Sequence, residues 1–286
     1  MAPAITVLGS GSAGNTTLLE ADGFSLLIDV GLGVRQIATR LATVGVSWPR
    51  IRAVLLTHTH GDHWNDRVFA HLLRLRIPVW CHPDHLAVLR RHCSCFKAMG
   101  RAKLIRTYEG DRPWSFTGLL QCRPLSVRHD SGSTFGFRFD GAASLFGRAW
   151  SLGYATDLGS WDESLVEGLA EVDLLAVEFN HDVGLQMASG RPAHLIERVL
   201  SDEGHLSNEQ AAALAAAVVR RSAPRRLARL VQLHLSRQCN RPELARRAAR
   251  RALEQFAPGT EVHTAEQDAP LPRLWMRESD EAMYAA

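Results

Sequence analysis

The chain has 286 residues, enough to bury a large core in one or two domains. Its 46% hydrophobic and 22% charged residues are those of an ordinary globular protein, and the mild net charge of +3 permits a nucleic-acid partner without demanding one. The five cysteines are odd in number and lack framework spacing, which argues against a disulfide scaffold and predicts reduced thiols in a cytoplasm.

Taken in order, Ile5 to Leu8 reads as a strand, and Thr17–Glu20 with Phe24–Ile28 as a hairpin. Val34 to Val44 has helical spacing. Ile51 to Leu56 is an apolar run of strand length, followed by a helix over about 65–76, a short strand at 78–81 and a helix near 86–95. The stretch 119–154 is mostly strand-like, and Leu174 to Glu178 reads as a buried strand. Leu206 to Arg221 is helical, with Ser207 and Gln210 in capping-box positions. Leu227 to Leu235 is a strand. Asn240-Arg241-Pro242-Glu243 reads as the capped start of a helix that places Arg246, Arg247, Arg250 and Arg251 on one face and Ala249, Leu253 and Phe256 on the other. The basic face reads either as plain solvated surface or as a ridge contacting nucleic-acid phosphates. Glu261 to Thr264 is a last strand, and the tail after Ala269 shows no clear structure. With no repeat or linker, residues 1–268 read as one domain and 269–286 as a C-terminal tail.

The run Thr57-His58-Thr59-His60-Gly61-Asp62-His63 follows the apolar strand. His58 and His60 alternate and share one side of an extended tail; Asp62 and His63 follow a glycine that lets the chain turn. One loop can thus offer two groups of ligands in two directions, as a two-metal site requires. This is the H-x-H-x-D-H signature, and it resembles that of the metallo-β-lactamase-fold hydrolases. The resemblance implies a four-layer αββα sandwich, an α/β (α+β) fold with two β-rich halves.

The resemblance also implies further ligands. His129 in Val127-Arg128-His129-Asp130 matches a third imidazole for the first metal. Asp157, closing Gly153-Tyr154-Ala155-Thr156-Asp157, matches a carboxylate bridging both metals, and His234, after Leu230-Val231-Gln232-Leu233, matches the last ligand. The expected division is His58, His60 and His129 for one metal, Asp62, His63 and His234 for the other, and Asp157 shared. This donor set suits two divalent ions, zinc or manganese. Asp29 in Ile28-Asp29-Val30-Gly31 resembles the family's buried aspartate that orients the metal loop.

Four motifs narrow the reading: Gly9-Ser10-Gly11-Ser12-Ala13-Gly14-Asn15, Glu178-Phe179-Asn180-His181-Asp182, Gly204-His205-Leu206-Ser207-Asn208 and His234-Leu235-Ser236-Arg237. They resemble the YycJ-type branch of the fold, bacterial proteins regarded as 5′→3′ DNA exonucleases, over roughly residues 5–255. The Gly-His-Leu-Ser-Asn stretch is also similar to a His-containing motif of tRNase Z. The implied activity is phosphodiester hydrolysis by a metal-bridging hydroxide, with Asp62 and His205 as catalytic groups. Asn180, His181 and Asp182 are expected to shape the site from behind. A small-molecule hydrolase of the same fold, acting on thioesters, lactones or cyclic phosphodiesters, is the alternative.

An antibiotic-degrading lactamase is normally exported. Met1 to Leu8 lacks the basic and long apolar regions of a signal peptide, and no apolar stretch reaches membrane-spanning length, so a cytoplasmic protein without a membrane partner is expected. Two further patterns admit a functional reading, a dinucleotide site and a separate zinc site, that their spacing disfavours. Gly9 to Gly14 matches a dinucleotide-binding fingerprint, but β-rich residues follow where that fold needs a helix. Cys81, His82, His85, His92, Cys93 and Cys95 are dense enough for zinc. They hold no C-x-x-C and one C-x-C, which favours partly buried thiols and surface imidazoles.

Overall fold

The structure, a computed structural model, describes residues 2–143 and 149–276. Residues 144–148 of the expected strand-rich stretch, and 277–286 of the tail, lie outside the described residues.

Two seven-stranded sheets are built to one plan. The first runs from β1 (Ala4–Gly9) through β2 (Thr16–Ala21), β3 (Phe24–Ile28), β4 (Ile51–Leu55) and β5 (Val79–Cys81) to β6 (Ile105–Thr107), with β14 (Leu274–Trp275) on the outer edge of β1. The second runs from β7 (Trp114–Ser115) through β8 (Leu120–Val127), β9 (Thr134–Gly141), β10 (Trp150–Ala155), β11 (Leu174–Glu178) and β12 (Arg229–Leu233) to β13 (Glu261–Thr264). In each sheet the pairing is antiparallel on one side and parallel on the other, with the change at β3/β4 and β10/β11. The parallel strands end together, so the loops after β4, β10, β11 and β12 leave on one side of the molecule.

Side chains alternate between layers, as the two-residue period of a strand requires. Leu26 and Ile28 of β3 enter the core between the sheets, while Leu27 enters a second core under the helices. On β11, Leu174 and Ala176 face the other sheet, while Leu175 and Val177 face helices. Helices α1 (Val34–Ala42), α2 (Asp66–Leu75), α3 (His85–His92) and α4 (Phe96–Arg101) cover the first sheet. Helices α5 (Glu163–Leu169), α8 (Asn208–Arg221) and α9 (Pro242–Leu253) cover the second. Short helices α6 (Val183–Met187) and α7 (Ala193–Leu200) lie between β11 and α8. The four layers are the expected αββα sandwich.

Several local expectations need correction. The tail is structured as far as Met276, because Leu274–Trp275 form strand β14 on β1 and Met276 is fully buried. Helix α9 is capped by Arg241 with Pro242 in its first turn, and not by Asn240. The Asn240 amide instead donates to the carbonyls of Phe179 and Asn180. Phe256 is exposed beneath the Arg220 guanidinium rather than buried, while Ala249 and Leu253 are buried. His85 is no surface imidazole; it is buried, with Nε2 2.7 Å from the Ser133 carbonyl. The glycine motif leads into β2, as its β-rich sequel implied, and the Ser207–Gln210 capping box is formed.

Candidate metal centre

The loop after β4 carries His58, His60, Asp62 and His63. Its shape is set by Asp29, which follows β3 in the left-handed region at φ 58°. Asp29 Oδ1 accepts from the Thr57 backbone N–H at 2.9 Å. Its Oδ2 accepts from Thr57 Oγ1 at 2.8 Å and lies 2.8 Å from His63 Nδ1. His129 follows β8, Asp157 follows β10 and His234 follows β12. Asp157 and His234 are also left-handed, at φ 57° and 55°. Three non-glycine residues held in this sparsely populated region around one site mark backbone strain concentrated where the ligands are aimed.

The seven expected donors converge. Ligand atoms of His58, His60 and His129 lie within 4.8 Å of one another, as do those of Asp62, His63 and His234. Ligand atoms of His58, His63 and Asp157 do the same and join the two groups. Asp157 Oδ2 is 3.1 Å from His63 Nε2, and its Oδ1 is 3.8 Å from His129 Nε2. His234 Nε2 is 3.3 Å from Asp62 Oδ2.

The residues fit a metal on three counts. His58 Nε2 is buried with no hydrogen-bond partner, which is costly for a polar atom unless something coordinates it. His129 Nδ1 donates to the Gly204 carbonyl at 2.9 Å, so its Nε2 presents a lone pair, 3.2 Å from His60 Nδ1. Four of the five imidazoles are also held from behind, as ligating histidines are. Thr57 Oγ1 backs His58 at 3.0 Å, Asp29 backs His63 and Glu178 Oε1 backs His234 Nδ1 at 2.9 Å. Asp130 Oδ1, on a residue fixed by Arg198, stands 3.6 Å from His60 Nε2.

The local field favours a cation. Burial alone would depress the His63 imidazole, but Asp157, Asp29 and Asp62 lift it well above its ordinary value. Burial would raise the Asp157 carboxyl, yet His234, His63 and His58 hold it well below the usual carboxylate range. His58 moves the other way: desolvation and the neighbouring His63 push it well below its ordinary value, leaving a neutral ring able to ligate.

His205 sits between the two donor groups, its ring centroid 5.1 Å from that of His129 and 5.2 Å from that of His234. Its Nδ1 donates to Glu178 Oε1 at 2.8 Å, and its side chain is 19% exposed. Burial would lower this imidazole, but Glu178 raises it. Glu178 is wholly buried. Burial would raise its carboxyl, but the imidazoles of His205 and His234 draw it down to about 2.

Two partners escaped the sequence reading although both lie in quoted motifs. Glu178 holds His205 and His234 together, and its Oε2 accepts from the backbone N–H of Leu158 and Leu206. Asn15 Nδ2 reaches Asp62 Oδ2 at 3.3 Å and His63 Nε2 at 3.0 Å. An acidic residue closing a strand that is otherwise apolar was the available signal for Glu178.

The supporting residues divide. Asn180 Nδ2 donates to the His234 carbonyl at 2.9 Å. Asp182 instead caps α6 through the Leu185 N–H, and His181 is buried with neither ring nitrogen hydrogen-bonded. Desolvation holds His181 at about 4, so it is neutral. The arginine face is exposed along a groove of about 710 Å³ between α9 and β13. Arg246 pairs with Glu243 at 3.0 Å and Arg251 with Glu209 at 2.7 Å. Arg247 and Arg250 make no ion pair among the described residues.

A beta-lactamase superfamily domain profile matches residues 25–228. The chain is 28% identical over 246 residues to exodeoxyribonuclease WalJ of Streptococcus pneumoniae, covering 84% of each. It is 25% identical over 277 residues to exodeoxyribonuclease YycJ of Bacillus anthracis, covering 93% of this chain and 96% of the relative. The fold superposes on the metallo-beta-lactamase fold protein YhfI of Bacillus subtilis with a TM-score of 0.65 at 17% identity, covering 95% and 99% of the two chains. The sandwich, the donor cluster at its strand ends and these matches agree: the chain belongs to the beta-lactamase superfamily, in its metallo-β-lactamase-fold branch, and is a metal-dependent hydrolase.

Proposed function

We propose that the protein is a dinuclear phosphodiesterase acting as a 5′→3′ DNA exonuclease. His58, His60 and His129 would hold one divalent ion, Asp62, His63 and His234 the second, and Asp157 both. Such a pair of ions, zinc or manganese, supplies an acidified water and neutralises charge on the attacked phosphate.

The chain's own groups supply the rest. Asp62, besides holding the second ion, would accept a hydrogen bond from the attacking hydroxide and fix its direction. Glu178 accepts the His205 Nδ1 hydrogen bond and favours the imidazolium, whose other nitrogen can then protonate the leaving oxygen. Arg247 and Arg250, free of ion pairs among the described residues, are the best placed of the basic face to neutralise backbone phosphates, while Arg246 and Arg251 are already matched by acids. Asn180 and Asp29 keep His234 and His63 in place.

The observation that carries the reading is His205, fixed by a buried carboxylate with its ring between those of His129 and His234. The names of the two exodeoxyribonuclease relatives support a DNA substrate. The test is metal-reconstituted enzyme on end-labelled single-stranded and duplex DNA and RNA. Mononucleotide release from DNA 5′ ends is expected. Turnover of thioesters, lactones or cyclic phosphodiesters with no cleavage of any polynucleotide would replace it with a small-molecule hydrolase.

A further inference from the structure

A second group of donors lies on the helical side of the first sheet. Cys93 closes α3 and Cys95 precedes α4, with their Sγ atoms 3.6 Å apart. Asp66, the first residue of α2, brings a carboxylate to them, and one ligand atom from each of the three lies within 4.8 Å of the others. The sequence pattern pointed to isolated thiols here because Asp66 is remote along the chain.

The geometry is that of a chelate. Two thiolates each about 2.3 Å from a tetrahedral zinc stand about 3.8 Å apart, close to the observed separation. A disulfide would need the sulfurs at about 2.05 Å, a much larger movement. The carboxylate is already fixed across the turn: Oδ1 accepts from the Ser94 N–H at 2.8 Å and Ser94 Oγ at 3.0 Å, and Oδ2 accepts from Ser94 Oγ at 2.9 Å. This is the outer support that a ligating carboxylate has in metal sites. Desolvation pushes the Cys93 thiol up to about 12 and raises Cys95, so without a cation both stay protonated and unreactive.

We propose that Asp66, Cys93 and Cys95 bind one thiophilic divalent cation of the zinc class, separate from the hydrolytic centre, with a fourth position open to water. Binding displaces one proton from each thiol and ties the turn between α3 and α4 to the start of α2.

The test is titration of the full chain with Co²⁺ under reducing conditions, read as the near-ultraviolet sulfur-to-cobalt charge-transfer band. Imidazole and carboxylate ligands give no such band, so the outcome does not depend on the hydrolytic centre or its substrate. Cobalt in excess over all three candidate positions should produce the band in wild type and in Asp62→Ala, at an intensity of one thiolate-ligated ion per chain. Cys93→Ser combined with Cys95→Ser should abolish it and leave hydrolysis unchanged. A wild type without the band, or a band that survives the double substitution, overturns the site. If the serine variant does not fold, wild-type thiol alkylation mapped by mass spectrometry decides. Zn²⁺ should slow labelling of Cys93 and Cys95 by roughly tenfold or more, since a coordinated thiolate is a poor nucleophile. Equal rates with and without Zn²⁺ overturn the proposal.

Discussion

Glu178 Oε1 accepts from His205 Nδ1 at 2.8 Å, and the same oxygen accepts from His234 Nδ1 at 2.9 Å. One buried carboxylate oxygen thus sets the tautomer of an expected metal ligand and of the expected proton donor. Glu178→Gln keeps the shape but removes the charge that draws both imidazoles. Losses of about 10–100-fold in metal affinity or activity are expected, the range for a residue supporting a ligand. Unchanged metal affinity with unchanged rate would show that the two rings are held by packing alone.

Asp62→Ala should abolish measurable turnover while the protein remains folded. Asp62 stands 3.3 Å from His234 Nε2 at the edge of the site, outside the sandwich core, so the loss is chemical and not structural. Circular dichroism should match wild type. Near-normal rates in this variant would remove Asp62 from the mechanism.

Gly31→Ala tests how tightly the metal loop is docked. A Cβ on Gly31 would stand 1.8 Å from the Asp62 carbonyl oxygen, and both backbones there are committed. Asn15 N–H donates to the Asp62 carbonyl at 2.7 Å and Gly31 N–H to the Asn15 carbonyl at 2.9 Å. The strain should cost about 1–3 kcal/mol and move Asp62 and His63 out of register, read as a lower Tm together with weaker metal retention. A variant with wild-type Tm and metal content would show that the loop can shift freely.

The reach of the sequence follows from the same geometry. Four of the seven donors lie in one short run that residue type and spacing exposed, while His129, Asp157 and His234 were placed by the family resemblance, each just past a strand. Strands β3, β4, β11 and β12 were legible as nearly uninterrupted apolar segments, and the resemblance supplied their arrangement as a sandwich. Helices α6 and α7 were not read from the sequence: α6 has five residues, and α7 has eight with a short apolar stripe at Leu195, Ile196, Val199 and Leu200 that no core residue continues. The role of Glu178 was hidden because a support that acts across β11 and β12 leaves no spacing along the chain. The capping role expected of Asn240 failed for the opposite reason: a good local motif was overridden by tertiary hydrogen bonds to Phe179, Asn180 and Asn208.

The basic face gives a prediction that differs within itself. Reversing Arg247 and Arg250 to glutamate should weaken DNA binding and flatten its log–log salt dependence by about 0.7–0.9 per lost phosphate contact. Reversing Arg246 and Arg251 should change the slope less, because Glu243 and Glu209 already offset their charge. Their exposed ion pairs also contribute little to stability, so neither substitution should unfold the helix. An unchanged slope in the Arg247/Arg250 variant would assign this face to solvent.

The last prediction separates the roles open to His205. His205→Ala should retain both metals, because the ring lies between the two donor groups and its Nδ1 is committed to Glu178. The rate of DNA cleavage should fall by about 10²–10⁴ if the imidazole is the general acid. The alkoxide that leaves from DNA is a poor leaving group, so its protonation lowers the barrier. A nitrophenyl phosphodiester leaves as a stabilised anion and needs little protonation. The variant should therefore lose DNA cleavage while largely keeping hydrolysis of the activated ester. Equal losses on both substrates would make His205 a phosphate clamp. Loss of a metal ion would make it a ligand, drawn with Glu178 into the group that Asp157 and His234 already form.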